Sequence, residues 1–167
     1  LAASGLSRSH MPRLVEGSEA SGVLRPDVAA VWGMDAGVVV AGGAGDNAGG
    51  AAGIGVVAPG QAFLSLGTSG VMFVANETFA PNPAQAVHAF CHCLPGAWHQ
   101  MSVILSAASC LTWLTELTGA DSEAALLAEA AESPARTDDP LFLPYLSGER
   151  TPHNNPHARG VFFGLGL

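Results

Sequence analysis

Between Val38 and Val57 four consecutive apolar residues, Val38 to Ala41, run into Gly42-Gly43-Ala44-Gly45-Asp46-Asn47. The chain then continues through Gly49, Gly50, Gly53 and Gly55. A short apolar run that ends in glycines and delivers two polar residues predicts a strand, a tight loop and a helix start. The strand is expected to be buried, and the helix to begin at Asp46 or Asn47 and extend toward Val57. Each glycine inside such a helix costs about 1 kcal/mol relative to alanine. That loss is tolerable where bare backbone must approach another element closely. In open α/β sheets ligands gather beyond the carboxyl ends of strands, and helix N-termini favour anionic groups. Asp46 and Asn47 are therefore candidate site residues. Asp is also a common N-cap, and taken alone Asp46 reads more readily as that.

The remaining chain alternates strand and helix. Residues 1–37 are broken by Pro12, Gly17, Gly22, Pro26, Gly33 and Gly37, leaving room for one short helix from about Asp27 to Trp32, with Asp27 near its N-cap. Pro59-Gly60 marks a turn. Beyond it Gln61–Leu66 and Val71–Ala75 read as strands joined by the hairpin signature Gly67-Thr68-Ser69-Gly70, and Trp98–Leu105 as a third strand. Ser106 is placed as the cap of a helix bearing Leu111, Leu114 and Leu117, stopped by Gly119. A second helix covers about Ser122 to Glu132, residues 144–157 form a loop, and Val161 opens a new strand. The first 58 residues supply one strand and little else, so a domain boundary is placed near Pro59, dividing the chain into 1–58 and 59–167.

Composition closes off several function classes. All six basic residues are arginine. Without lysine there is no Walker A loop and no Schiff-base chemistry. A formal net charge of −8 makes nucleic acid a poor partner. No apolar run is long enough to span a membrane, and the first ten residues lack a signal-peptide core. Three cysteines argue against a disulfide framework and for a reducing, cytoplasmic setting. The chain opens on Leu1 and closes on Gly164-Leu165-Gly166-Leu167, so both ends read as cuts through a longer protein.

His88, Cys91, His92, Cys93 and His99 cluster in sequence, but match no usual zinc spacing. In an extended segment His92 would face away from Cys91 and Cys93, so no metal site is assigned. Glu149 and Arg150 either reach a cleft or form an exposed loop ion pair. His153 and His157 are expected to face solvent, and Trp113, Leu114 and Leu117 to be core.

The hairpin bears on the reading of Asp46. Leu64-Ser65-Leu66-Gly67-Thr68-Ser69-Gly70 gathers backbone N–H groups and two hydroxyls at a tight turn, a concavity suited to phosphate oxygens. A plain hairpin turn is the other reading. Both features together point to a phosphate subsite facing a carboxylate across a domain junction.

The segments Gly42-Gly43-Ala44-Gly45-Asp46-Asn47-Ala48-Gly49-Gly50 and Leu64–Gly70 resemble the core of the FGGY carbohydrate kinases. Residues 86–92, 101–113 and 142–156 resemble the xylulose-phosphorylating branch of that family, and Gly160–Leu165 resembles the opening of a second family signature. The resemblance covers almost the whole chain. It implies an α/β, actin-like ATPase (ribonuclease H-like) fold, present in part and spanning the junction of two domains. Residues 1–58 would close the first, sugar-binding domain and 59–167 would open the second, nucleotide-binding one.

It further implies transfer of phosphate from MgATP to D-xylulose, giving xylulose 5-phosphate. Asp46 would be the general base, Asn47 would lie beside the sugar, and Gly67, Thr68 and Ser69 would meet the ATP phosphates, with Ala108 near the nucleotide. ATP and Mg²⁺ are the implied cofactors, the sugar and ATP the implied partners, and a homodimer is a possibility. The first phosphate loop and the adenine pocket of the family lie outside this sequence, so the segment alone is expected to be inactive. Glycerol, gluconate or ribulose as substrate, or a non-catalytic actin-like nucleotide-binding module, are the alternatives.

Overall fold

The computed structural model describes residues 1–166. In chain order the elements are β1 (Ala20–Val23), α1 (Pro26–Trp32), β2 (Val39–Ala41), α2 (Asp46–Gly53), β3 (Ala62–Leu66), β4 (Gly70–Asn76), β5 (His88–Cys91), β6 (Trp98–Ile104), α3 (Ser109–Thr118), α4 (Glu123–Glu132), β7 (Leu141–Leu143) and β8 (Val161–Phe163). Among the described residues three antiparallel sheets form: the ribbon β1–β2, the sheet β3-β4-β6-β5 and the ribbon β7–β8.

The four-stranded sheet carries the core. In its register Phe63 faces Phe73, Phe73 faces Met101, Ala75 faces His99 and His99 faces Phe90. Side chains alternate across a strand, so these residues share one face. Helix α2 lies against that face: Ala51 and Val56 pack with Phe73 and Ala75, flanked by Phe63 and Met101. Phe73 is fully buried and stacks on Phe63 at 4.9 Å and on His99 at 4.3 Å between ring centroids. The glycines of α2 thus sit in a helix whose alanines make the close contact. On the opposite face Leu64, Leu66 and Met72 are exposed.

A second set of bonds ties α2 and the turn after it to the segment that follows β5. His92 is buried, and its Nδ1 accepts from Leu94 N–H at 3.2 Å while Nε2 lies 3.2 Å from the Val56 carbonyl oxygen. An Nδ1 that accepts leaves the proton on Nε2, which donates to Val56. The Cys93 thiol donates to the Ala48 carbonyl at 3.3 Å.

Several sequence expectations hold. The helix starts at Asp46, the hairpin forms across Gly67–Gly70, β6 covers Trp98–Ile104, and Ser122 caps α4 through a 3.1 Å bond from Ala125 N–H. The short helix expected from about Asp27 to Trp32 does form, as α1, with Arg25 as N-cap and Asp27 close to it in the first turn. Gly33 and Gly119 end their helices in left-handed conformation.

Others are corrected. The strand expected to be buried at Val38–Ala41 is exposed: among the described residues it pairs with β1 alone, and the two make a solvent-facing ribbon. Ser106 does not cap α3. It is buried ahead of it, and Ala108 holds the cap position. Leu117 is 61% exposed, which removes it from the core. No helix among the described residues is long and apolar enough to cross a membrane.

Candidate active site

Helix α2 is capped by Gly45, whose extended backbone (φ −65°, ψ 153°) lets Asp46 take the first helical position. Asp46 is therefore not the N-cap. Its Oδ1 accepts from Asn47 N–H at 2.8 Å and from Asn47 Nδ2 at 3.3 Å. The Asp46 side chain is exposed, Asn47 is half-buried, and an anionic group in the first turn is favourable against the helix dipole. Both residues open onto a cavity of about 490 Å³. Its far wall is Phe90 and Cys91 of β5 with His99 and Met101 of β6.

The loop that presents Asp46 is held from below by residues 16–19. Gly43 N–H donates to the Gly17 carbonyl at 3.0 Å, and Gly42 N–H to that of Glu19 at 2.8 Å. The crossing is so close that a Cβ on Gly17 would stand 2.5 Å from the Cys93 carbonyl oxygen and 2.7 Å from that of Gly43.

The hairpin turn is fastened to α3. Ala108 N–H donates to the Gly67 carbonyl at 2.9 Å, and Ala107 N–H and the Ser109 hydroxyl both donate to the Thr68 carbonyl at 2.9 Å. The turn's carbonyls thus satisfy N–H groups at the start of α3. Among the described residues neither the Thr68 nor the Ser69 hydroxyl makes a hydrogen bond. A cavity of about 440 Å³ opens there, lined by Thr68, Ala108, Ser109, Thr112, Trp113 and Glu116.

The structure therefore joins Thr68 to Ala108, forty positions away, and ties Gly67 to the same point. It does not bring Asp46 into that cavity: the carboxylate and the turn line separate cavities, and Ser69 lines neither.

Residues not assigned from sequence complete both sites. Ser109, Thr112, Trp113 and Glu116 follow the i, i+3, i+4, i+7 spacing of one helix face, a signal present in the sequence. Trp113 is only half-buried. Its ring stacks on Phe142 at 5.6 Å while the residue lines the cavity, so it is more than core. His99 and Phe90 are paired by strand register, and the packing of α2 on that sheet face puts them and Met101 on one cavity with Asp46, which sequence alone does not give.

Glu149 answers to neither expectation. It is 2% exposed, its Oε1 accepts from Arg150 N–H at 2.7 Å and Leu105 N–H at 3.1 Å, and its Oε2 has no partner among the described residues. The contact with Arg150 is to the backbone, not to the guanidinium. Burial, with the nearby Glu149 charge adding to it, raises the Cys110 thiol pKa. His153 and His157 are exposed, with His153 Nε2 3.1 Å from the Tyr145 hydroxyl. Among the described residues no group of three His, Cys, Asp or Glu side chains is arranged to hold a metal.

The sequence pattern of the C-terminal domain of the FGGY family of carbohydrate kinases matches residues 62–167, and that of its N-terminal domain matches residues 1–53. The chain belongs to the FGGY family of carbohydrate kinases. It is 59% identical over 165 residues to the xylulose kinase of Escherichia coli (strain K12), and equally so to that of Klebsiella pneumoniae. The alignment takes in 99% of this chain and 34% of each of those proteins, so the chain spans about a third of the length of these FGGY relatives. Among solved FGGY structures, it superposes on a xyloylose kinase from Brucella ovis with TM-score 0.93 at 57% identity. It superposes on the xylulose kinase from Rhodospirillum rubrum with TM-score 0.85 at 32% identity. Each match covers 99% of this chain and 34% of the other. The fold is accordingly part of the actin-like ATPase fold of this family.

Proposed function

We propose that this chain supplies the catalytic base and the phosphate-binding turn of an ATP-dependent kinase converting D-xylulose to D-xylulose 5-phosphate. The observation that carries the reading is the 59% identity to two xylulose kinases across 99% of the chain. The geometry is compatible with it. Asp46 offers an exposed carboxylate at the mouth of a cavity large enough for a pentulose, with Asn47 beside it.

In this reading Asp46 takes the proton from the attacking sugar hydroxyl, and Asn47 orients the sugar. Phosphoryl transfer has a loose transition state, so positioning and charge stabilisation do most of the catalysis. At the turn, the free hydroxyl of Thr68 faces the ATP phosphates, and Gly67 and Ser69 hold the turn's shape through the 3.0 Å bond from Gly67 N–H to the Ser69 carbonyl. Ala108 and Trp113 flank the nucleotide, and Glu116 suits hydroxyls better than phosphate. The described residues offer no carboxylate cage, so Mg²⁺ is taken to arrive with the nucleotide as part of the substrate, in keeping with its usual phosphate-bridged binding.

Residues 1–58 belong to the sugar-binding domain and 59–167 to the nucleotide-binding domain. Because Asp46 and Thr68 line separate cavities, transfer requires the sugar to reach from one toward the other when the cleft closes. A coupled assay on the intact protein with ketoses and polyols tests this. Xylulose should give the highest kcat/KM, and a preference for glycerol or gluconate would overturn the substrate assignment.

A further inference from the structure

His99 sits on β6 with its side chain 96% withdrawn from solvent, inside an apolar and aromatic setting. Its ring stacks on Phe73 at 4.3 Å and lies 5.7 Å from Phe90. Phenylalanine would satisfy every one of these contacts. Imidazole instead leaves Nδ1 buried with no hydrogen-bond partner among the described residues, a loss that folding alone does not recover. Yet the residue also lines the cavity that holds Asp46 and Asn47.

We propose that His99 is a specificity-determining residue of that cavity, donating from Nε2–H to an oxygen of the sugar held beside Asp46. The tautomer follows from the sealed side of the ring. A buried N–H with no acceptor is rarer and costlier than a buried acceptor with no donor, so Nδ1 carries the lone pair and Nε2 the proton. Burial, with the neighbouring His92 adding to it, holds the His99 pKa below the usual imidazole range, so the ring is a neutral donor at physiological pH. Phe73 and Phe90 fix its plane, which removes the entropy cost of orienting it for each sugar.

This inference rests on the sugar-kinase reading, and the test separates the two. In the intact enzyme, His99→Phe keeps the stack on Phe73 and deletes the donor. The expected result is a KM and calorimetric Kd for xylulose raised roughly tenfold, the order of one lost hydrogen bond. The KM for ATP should stay within about twofold, and the melting temperature should be unchanged or higher. Xylulose analogues lacking one hydroxyl or the carbonyl identify the contact: one of them should be penalised in the wild type and no longer penalised in His99→Phe. His99→Gln, which restores an N–H donor, should recover part of the affinity, and it carries the test should His99→Phe fail to fold. A His99→Phe enzyme with unaltered xylulose affinity overturns the role of His99 and leaves the kinase reading standing. A wild type that phosphorylates no ketose or polyol overturns both.

Discussion

Gly17→Ala is a one-methyl change whose effect can be worked from the chain crossing beneath the Asp46 loop. The added Cβ would stand 2.5 Å from the Cys93 carbonyl oxygen and 2.7 Å from that of Gly43. Carbon and oxygen in ordinary contact need about 3.4 Å or more, so the strands of chain must part by close to 1 Å on two sides. Both neighbours are backbone, and neither can turn away as a side chain would. Overpacking of this kind costs roughly 1–3 kcal/mol, and parting the crossing also strains the Gly43 N–H bond to Gly17. A loss of about 2–3 kcal/mol corresponds to a melting point lower by roughly 4–12 °C in a domain of about 150–250 residues. Gly22→Ala is the matched control, because its Cβ would meet nothing within 4 Å. It should melt within about 1 °C of the wild type. Since the parted crossing carries Gly43, kcat for the sugar should fall with the melting point in Gly17→Ala alone. Calorimetric melting and steady-state kinetics on both variants decide the matter. A Gly17→Ala protein as stable and active as Gly22→Ala would show that the crossing is not rigid and that the reasoning fails.

Replacing Asp46 by Ala in the intact enzyme should lower kcat by about 10²–10⁴ while ATP affinity stays nearly constant, as measured by coupled assay and nucleotide titration. Thr68→Val should raise the KM for ATP more than that for xylulose; the reverse pattern would detach the turn from the phosphates. Glu149→Ala leaves the Leu105 and Arg150 N–H groups without their buried acceptor and should cost about 2–4 kcal/mol by denaturant titration, whereas Glu149→Gln, which keeps an acceptor oxygen, should cost less than half as much. The depressed His99 pKa has a defined sign. The unfolded chain binds a proton near pH 6.5 that the folded chain still refuses, so stability present above that pH is lost as pH falls from about 6.5 toward the lower folded value. His99→Phe should flatten that part of the stability–pH curve.

The parts of this fold that were legible in sequence are those where local chemistry and tertiary placement agree. Ser122 caps α4 because its hydroxyl can reach Ala125 N–H within the same turn. The hairpin at Gly67–Gly70 closes because two apolar runs flank a glycine-bounded turn. Asp46 and Thr68 stood out on the same grounds. What stayed hidden depends on distant partners. Ser106 has the chemistry of a cap, yet the turn's carbonyls take the N–H groups that a cap would serve. Val39 is apolar but exposed, because burial of a strand needs a neighbour on its face and β1 offers only an edge. Glu149 looked like a surface acid within a polar loop. Only the packed structure shows that two backbone N–H groups hold it inside. His99 belongs to the same class: it shares a cavity with Asp46 because α2 packs on its face of the sheet, which local pattern does not encode.

The bonds from Ala107, Ala108 and Ser109 to the hairpin carbonyls also have a mechanical consequence. A force applied at Thr68 cannot be absorbed by the turn alone, since yielding would strip the first N–H groups of α3 of their acceptors. The helix must travel with it as a stiff lever. One turn along that lever is Trp113, whose ring is in register with Phe142 and Phe162 at 5.6 and 6.5 Å, so the far end of the stroke lands on the β7–β8 ribbon. The indole is thus an optical gauge built into the linkage. In this chain with Trp32 and Trp98 replaced by phenylalanine, the emission of Trp113 should report a strain imposed at the turn.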